Sequence, residues 1–257
     1  MMLRAHPVVH RIAILLAGAA VALAFGACEK GTRRAATRAW QEMAIRPPLD
    51  GARAVMVEDF VRAYPEPKTN PYLPRACTLL ADHHAAEGRL DIAASWYERA
   101  IRAEPDDPDL LNAVGYFYAR HRMNLDRATR LLETAIRLAE ERGYAPRRIG
   151  LIKDSLGWSY RMRGDLPQAV ALLEEACRLA PGVPVLQEHL ADAYHAIGEQ
   201  ARAVDLYLDL LERGAGNGPE IRAALEAIAR AAEPDLKAAI TRRIHGGAEL
   251  VAPGSPK

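Results

Sequence analysis

The chain has 257 residues, enough for one large domain or two small ones. Half of the residues are apolar and only 6% are aromatic, which is typical of a helical protein with an aliphatic core. The formal net charge of +1 gives no overall field that would favour nucleic acid or an anionic surface. The three cysteines form no C-x-x-C pair, so neither a zinc nor a redox motif is predicted.

Residues 1–27 have the pattern of an export signal. A basic start carries Arg4 and Arg11, and the run from Ile12 to Phe25 is apolar and short for a membrane-spanning helix. The following residues, Phe25-Gly26-Ala27-Cys28, resemble the lipobox of bacterial lipoproteins, although that family usually has Leu where Phe25 stands. The resemblance implies cleavage before Cys28 and attachment of lipid to its sulfur. The alternative is an uncleaved anchor helix.

Two segments precede the regular part of the chain. Residues 28–51 are polar, basic and Ala-rich and include Pro47-Pro48, so we expect a tether that lifts the domain from a membrane, although a short helix from Arg33 to Ile45 is possible. Residues 52–73 are expected to hold a lead helix, with an amphipathic stretch from Ala52 to Ala63. Its apolar face is predicted to contain the residues Val55, Val57, Phe60 and Val61.

A sequence period begins near residue 74. Gly88, Gly164 and Gly198 each stand five residues before an alanine and nine before a large side chain. A further copy, without this glycine, lies between the first two. The recurring positions are Ala81, Ala93, Tyr97, Ala100 and Pro105 in the first copy; Gly115, Tyr118, Ala128, Leu132 and Ala135 in the second; Gly157, Tyr160, Ala169, Leu173, Ala176 and Pro181 in the third; and Ala191, Tyr194, Ala203, Tyr207 and Leu210 in the fourth.

The second copy is irregular in two places. Its turn is Arg122-Met123-Asn124 where the other copies have glycine, and 41 residues separate Ala128 from Ala169 where 34 separate Ala169 from Ala203. We expect the longer junction, at residues 140–148, to open a wider step between Tyr118 and Tyr160.

This pattern resembles the tetratricopeptide repeat, whose core Leu-Gly-x-x-Tyr is present as Leu156-Gly157-Trp158-Ser159-Tyr160. The resemblance covers residues 74–215, and it implies an all-α fold: a right-handed α-α superhelix, or solenoid, with flanking helices. The four units are predicted at 74–107, 108–141, 150–183 and 184–217. Residues 218–245 are predicted to form C-terminal capping helices, and residues 246–257 a disordered tail.

The sequence favours binding over catalysis. Asp82-His83-His84 could suggest a metal site, but His84 stands where other copies have tyrosine and is predicted to be structural. Cys77 and Cys177 stand at inward-facing repeat positions and are predicted to be buried apolar residues. There is no H-E-x-x-H, phosphate loop or G-x-S-x-G motif, so we predict no catalytic residue, metal or cofactor.

The resemblance also implies a binding groove, lined at fixed positions of each repeat. In the first copy these positions hold Arg75, Thr78 and Asp82. In the later copies they hold Asn112, Tyr116 and Arg120; Asp154, Trp158, Arg161 and Met162; and Glu188, Asp192 and His195. Tyr116 and Trp158 are expected to adjoin as an apolar shelf for a peptide, because aromatic residues and arginine dominate interface energetics.

The leading hypothesis is therefore a membrane-tethered adaptor at a bacterial cell envelope, with its soluble part in the periplasm. Its partner would be a protein or peptide, and a role in assembly or secretion is expected from the lipoprotein and repeat resemblances together. Two alternatives stay open: a hydrolase or transferase that uses the repeats as a substrate platform, and a scaffold that self-associates as a homo-oligomer. No nucleic-acid partner is predicted.

Overall fold

The computed structural model describes residues 29–43 and 45–246. The predicted signal segment, Cys28 and the predicted tail from residue 247 lie outside them. Every regular element in the described part of the chain is a helix. In chain order these are α1 Glu29–Met43, α2 Gly51–Ala63, α3 Leu73–Ala86, α4 Leu90–Ala103, α5 Pro108–Arg120, α6 Leu125–Glu141, α7 Pro146–Arg163, α8 Leu166–Leu179, α9 Pro184–Ala196, α10 Gln200–Glu212, α11 Gly218–Ala231 and α12 Pro234–Gly246.

The described residues divide into two compact units, one that ends at Leu110 and one that begins at Leu111. The N-terminal unit contains α1 to α4 and the first residues of α5, so it holds the first predicted repeat. The C-terminal unit contains the rest of α5 and α6 to α12, and thus the other three predicted repeats. Across residues 29–43 and 45–246, no helix has both the length and the apolar composition that crossing a bilayer requires.

The expected tether is wrong over residues 29–43, which form the packed helix α1. Ala36 is fully buried, and Trp40 is only 9% exposed. The Trp40 ring stacks on Tyr72, with centroids 5.4 Å apart, and lies 5.2 Å from the ring of Phe60 in α2. Burial of a tryptophan removes a large apolar area from water, which explains why this otherwise polar segment is held against the domain.

The predicted lead helix is present as α2, with one error on its apolar face. Val57, Phe60 and Val61 are buried as expected, but Val55 is 49% exposed and Ala54 takes the inward position. The next helix, α3, carries His84 at the tyrosine position of the repeat. His84 is buried, and its Nε2 lies 3.6 Å from Oε1 of Glu58 in α2. This histidine therefore packs the lead helix onto the first repeat.

The turns between the paired helices follow the glycine pattern. Gly88, Gly164 and Gly198 have φ angles of +75°, +87° and +84°, in the left-handed region that glycine enters without a Cβ penalty. In the second copy Arg122 and Asn124 adopt φ angles of +53° and +40° instead. Asn124 also caps α6, since its side chain accepts a hydrogen bond from the Arg127 amide. Arg122 therefore takes the place of the glycine in this turn, because its amide bonds to the Ala119 carbonyl as the Gly88 amide bonds to the Ala85 carbonyl.

The small residues of the repeat mark close helix contacts. A Cβ added at Gly115 would stand 2.6 Å from Cγ of Leu132, and one added at Gly157 would stand 2.7 Å from Cγ of Leu173. The leucine of the second helix therefore occupies the space that a side chain on the first helix would need. These contacts hold α5 against α6 and α7 against α8 at distances that only glycine permits.

The longer junction after the second repeat is built as helix, while the wider step between Tyr118 and Tyr160 stays a prediction. The extra residues lengthen α6 and α7 to 17 and 18 residues, and α7 begins at Pro146 rather than near residue 150. Tyr160 of α7 donates to Glu133 of α6, 27 residues earlier, as Tyr194 of α9 donates to Glu174 of α8, 20 residues earlier. The two bonded pairs are separated by 27 and 20 residues, and the alanine intervals are 41 and 34 residues, so both differ by seven. The hydrogen bond between successive helices is therefore kept despite the longer junction.

Two closing helices, α11 and α12, complete the C-terminal unit at the predicted positions. Their inward residues join the core of the fourth repeat: Ile221, Leu225, Ile228, Ile240 and Ile244 are at most 8% exposed and cluster with Tyr207 and Leu208. The last repeat of a solenoid otherwise exposes its apolar face, so this pair supplies the cover that such arrays need at an end.

Candidate functional site in the C-terminal unit

Trp158 is the centre of the candidate site. It stands on α7, half-buried, with its ring centroid 4.5 Å from that of His189 on α9. The guanidinium carbon of Arg161, one turn further along α7, lies 4.8 Å from the indole centroid. The indole therefore contacts both a cation and an imidazole, and these contacts restrict its orientation.

A carboxylate holds the histidine that contacts this indole. Asp154 is 6% exposed, and its two oxygens lie 2.9 and 3.0 Å from Nδ1 of His189, which donates to them. A buried carboxylate is costly unless it is hydrogen-bonded, so the pair satisfies Asp154 and sets the plane of the imidazole. Neighbouring Thr129 and Ser159 are bonded to each other, with 3.1 Å between their hydroxyl oxygens.

A second polar chain continues from Arg161. Its terminal nitrogen lies 3.6 Å from Oδ2 of Asp192 on α9, and Oδ1 of Asp192 accepts a hydrogen bond from the hydroxyl of Tyr207 on α10. Burial, and next the neighbouring Asp192 carboxylate, raise the pKa of Tyr207 well above its usual value, so the phenol stays a donor. Three helices are linked in this way.

Three buried polar atoms on α5 and α7 have no hydrogen-bond partner among the described residues. They are Nε1 of Trp158, Nε of Arg161 and Oδ1 of Asn112. Buried polar groups are nearly always bonded in folded proteins, and an unmade bond costs about 1–3 kcal/mol. α5 and α7 therefore hold two buried donors and one buried acceptor that nothing in the described chain satisfies.

Two of the predicted groove residues serve local structure. Oε1 of Glu188 accepts from the backbone amide of Asn217, at 2.9 Å, and so holds the turn before α11. Nδ1 of His195 lies 2.8 Å from Oε1 of Gln200, at the turn between α9 and α10. Each of these two side chains therefore stabilises a nearby turn, and this contact accounts for its position without a ligand.

The remaining predicted residues are more open. Arg120 is exposed, and Asn112, Tyr116 and Met162 are half-buried. The expected shelf of Tyr116 against Trp158 is not among the ring contacts of residues 45–246, where Trp158 meets His189 instead. The predicted set thus separates into a connected group, Asp154, Trp158, Arg161 and Asp192, and a scattered remainder.

Sequence reasoning missed His189 and Tyr207. His189 follows the predicted lining position Glu188 by one residue, so it is not among the lining positions that the repeat family implies. The available signal was Asp154, because an acid buried in a helix interface requires a donor from a neighbouring element.

Two clefts lie in the N-terminal unit. The first, of 280 Å³, lies between the segment before α2 and one side of α3 and includes the predicted residue Asp82. The second, of 250 Å³, includes Trp96 and Arg99 of α4. Of the other residues predicted for the first copy, Thr78 donates to the Pro74 carbonyl of its own helix, at 3.0 Å.

The cysteines described by the structure have weakly acidic thiols. Cys77 is fully buried and Cys177 half-buried, and burial raises the pKa of each to about 11. A nucleophilic cysteine needs a lowered pKa, so neither environment favours thiolate chemistry. Across residues 29–43 and 45–246, no three His, Cys, Asp or Glu side chains are grouped closely enough to hold a metal ion.

Comparison with known proteins identifies the fold as that of a known repeat family. Residues 76–111 match the sequence model of a family described as tetratricopeptide repeat. No curated protein sequence matches the chain significantly.

Solved structures resemble the chain over most of its length. PilF of Pseudomonas aeruginosa is 17% identical with a TM-score of 0.55, covering 85% of this chain and 92% of its own. PilW, described as a widely conserved type IV pilus biogenesis factor, is 15% identical with a TM-score of 0.55, covering 84% of this chain and 100% of its own. A tetratricopeptide-repeat protein from Parabacteroides merdae is 13% identical with a TM-score of 0.58, covering 87% and 79%. The predicted resemblance is thereby confirmed: this chain has the tetratricopeptide-repeat fold and carries a repeat of that family at residues 76–111.

Proposed function

We propose that this protein is a membrane-tethered adaptor that binds a segment of a partner protein across α7 and α9, centred on Trp158. The observation that carries the proposal is the set of contacts around that indole. Arg161 and His189 both contact it, yet it stays half-exposed, with its donor unpartnered. Tryptophan and arginine are the residues most often found at the energetic centres of interfaces.

The unpartnered atoms suit a polypeptide ligand. Trp158 and Arg161 offer donors, and Asn112 offers an acceptor. A peptide backbone presents both carbonyl oxygens and N–H groups, which are the complements of these donors and this acceptor. Satisfying groups that are unpaired in the free protein adds to affinity, because their desolvation cost has already been met by folding.

Exposed apolar side chains extend this surface. Leu151 on α7 is 38% exposed, and Val185 on α9 is 44% exposed. They are separated by one repeat length of 34 residues and hold the same position in the third and fourth repeats. Leu151 precedes Asp154 by one turn, and Val185 precedes His189 by one turn. A partner that meets Trp158 could therefore place an apolar residue on this pair.

The same contacts favour binding over catalysis. Asp154 and His189 form an acid–imidazole pair, which in hydrolases would activate a nucleophile. Within residues 45–246, however, no serine, threonine or cysteine is hydrogen-bonded to His189, which contacts Asp154 and the Trp158 ring. We infer that the pair positions Trp158.

Attachment to the cell envelope is the second part of the proposal. It rests on the apolar run that ends in Phe25-Gly26-Ala27-Cys28, with lipid on Cys28 as the anchor and the repeats in the periplasm. The fold likeness to PilF and to the pilus biogenesis factor PilW supports a role in assembling an envelope structure. Mass spectrometry of the mature N-terminus tests the anchor, and a chain that still begins at Met1 and carries no lipid would exclude it.

The binding surface is tested by paired tryptophan variants. Trp158→Ala should reduce capture of the partner from envelope extracts by about thirtyfold or more, the effect expected of a central interface residue. Trp96→Ala is the matched control, since Trp96 is also half-buried and also has an arginine over its ring, with the Arg99 guanidinium 5.5 Å from the centroid. Both variants should keep their helical circular dichroism. Equal capture by the two variants would contradict the proposal.

A further inference from the structure

The 280 Å³ cleft of the N-terminal unit has an apolar wall and an acidic edge. Pro48 and Leu49, before α2, face Leu79 and Ala86 of α3, and the carboxylates of Asp82 and Glu87 stand beside them. A volume of this size is near the lower limit of small-molecule pockets, which hold about 300 Å³ or more. It suits a single long side chain better than a cofactor.

Asp82 is incompletely satisfied compared with its counterpart in the fourth repeat. The hydroxyl of Tyr97 donates to Oδ1 of Asp82, as Tyr207 donates to Oδ1 of Asp192, and in both copies the tyrosine follows by 15 residues. Asp192 also has the Arg161 guanidinium at 3.6 Å. No lysine, arginine or histidine nitrogen of the described residues lies within 4 Å of the Asp82 carboxylate. In agreement with this, desolvation raises the pKa of Asp82, and the hydrogen bond from Tyr97 offsets only part of the rise.

The other acids at the edge differ from Asp82. Glu87 is paired with Arg89 and lies 3.5 Å from Nε2 of His83. Asp50 caps α2 by accepting from the Arg53 amide, at 2.8 Å. The carboxylate that is left for a ligand is therefore that of Asp82, at the end of a wall made of proline, leucine and alanine.

We propose that this cleft binds the basic side chain of a partner segment, with its methylene groups against Leu79 and Ala86 and its cationic end on Asp82. Lysine and arginine combine an aliphatic stem with a charged head, and they commonly bury the stem along apolar surface. The pair formed would reproduce the arrangement that Arg161 and Asp192 already make inside the fourth repeat. The proposal does not depend on binding at Trp158, because the two sites share no residue.

The test is a titration of the full-length chain with two short peptides. One is acetyl-Gly-Ala-Lys-Ala-Gly-amide, and the other has norleucine in place of lysine, which keeps the stem and removes the charge. The lysine peptide should shift the methyl resonances of Leu79 and Ala86 and bind at least about tenfold more tightly than the norleucine peptide, as expected for a hydrogen bond to a charged group. Equal affinities would overturn the proposal.

Four variants test the location of the site. Asp82→Asn should weaken the lysine peptide by about tenfold, and Asp192→Asn, the same change in the copy that already has Arg161, should leave its affinity unchanged. Ala86→Phe should abolish binding by filling the cleft, whatever the state of Asp82. Trp158→Ala should leave lysine binding intact, so failure here is distinguishable from failure of the adaptor proposal. Undiminished binding by Asp82→Asn, or by Ala86→Phe, would overturn the assignment.

Discussion

The first and fourth repeats contain the same aspartate–tyrosine pair in two different surroundings. In the fourth, Asp192 is bonded by Tyr207 and faced by Arg161 from the preceding repeat. In the first, Asp82 is bonded by Tyr97 and faces a cleft. The local pair comes from the repeat itself, because both residues stand at fixed positions. Whether the carboxylate is also matched by a cation depends on the neighbouring repeat, and the first repeat is preceded by α1 and α2, which supply none.

The largest expected effect concerns what the two repeats share. Ala81 and Ala191 are fully buried at the same position of their first helices. Replacing either one with leucine should overpack the contact with the second helix and lower the free energy of unfolding by about 1–3 kcal/mol. Urea unfolding followed by circular dichroism measures this.

Ala171→Leu, at an exposed site of α8, is the control and should change the unfolding midpoint little. If Ala81→Leu or Ala191→Leu were as stable as the unchanged protein, the two repeats would not share this close packing.

A smaller effect is expected from making the fourth repeat resemble the first. Arg161→Met removes the cation facing Asp192 and the contact with Trp158, and keeps much of the aliphatic stem. We expect a loss of about 1–2 kcal/mol in the free energy of unfolding, since the ion pair and the cation–π contact each contribute about 1 kcal/mol or less.

Arg178→Met is the matched control, because Arg178 is 70% exposed and its partner is Glu175 on its own helix. An equal change in the two variants would show that the contacts of Arg161 add nothing to the stability of the C-terminal unit.

The smallest effect is a pH dependence specific to the first repeat. Because burial raises the pKa of Asp82, its carboxyl holds a proton more tightly in the folded than in the unfolded state. Stability from this group is therefore greatest below the unfolded pKa of about 4, and it falls as the pH rises through the folded pKa.

Asp82→Asn should remove this dependence. The melting temperature of the variant relative to the unchanged protein should then increase between pH 3 and pH 7. A relative melting temperature that decreased over this range would reverse the sign assigned to Asp82.

The repeat architecture could be predicted because it depends on positions that recur. The sequence predicted turns at Gly88, Gly164 and Gly198, which have positive φ angles. It also predicted close helix contacts at Gly115 and Gly157. The errors fell where the pattern has no copies to compare. Residues 29–43 have a polar composition, which favoured a tether, although they form a helix with one buried face around Trp40. The extra residues after the second repeat lengthened two helices rather than a loop.

The candidate site was only partly predictable. The lining positions of the family led to Trp158, Arg161, Asp154 and Asp192, which the structure connects. His189 lies between two such positions, and its role depends on α7 and α9 being adjacent, which sequence spacing alone does not supply. Tyr116 was paired with Trp158 on residue type, and the nearer imidazole takes that place in the structure.

The most direct test of the adaptor proposal is photo-crosslinking from two equally exposed apolar positions. A photoreactive phenylalanine would replace Val185 in the fourth repeat or Ile92 in the first, both of which are 44% exposed. The proposal predicts a crosslinked partner from position 185 in intact cells, and none from position 92. Crosslinking from position 92 alone, or equally from both positions, would contradict binding across α7 and α9.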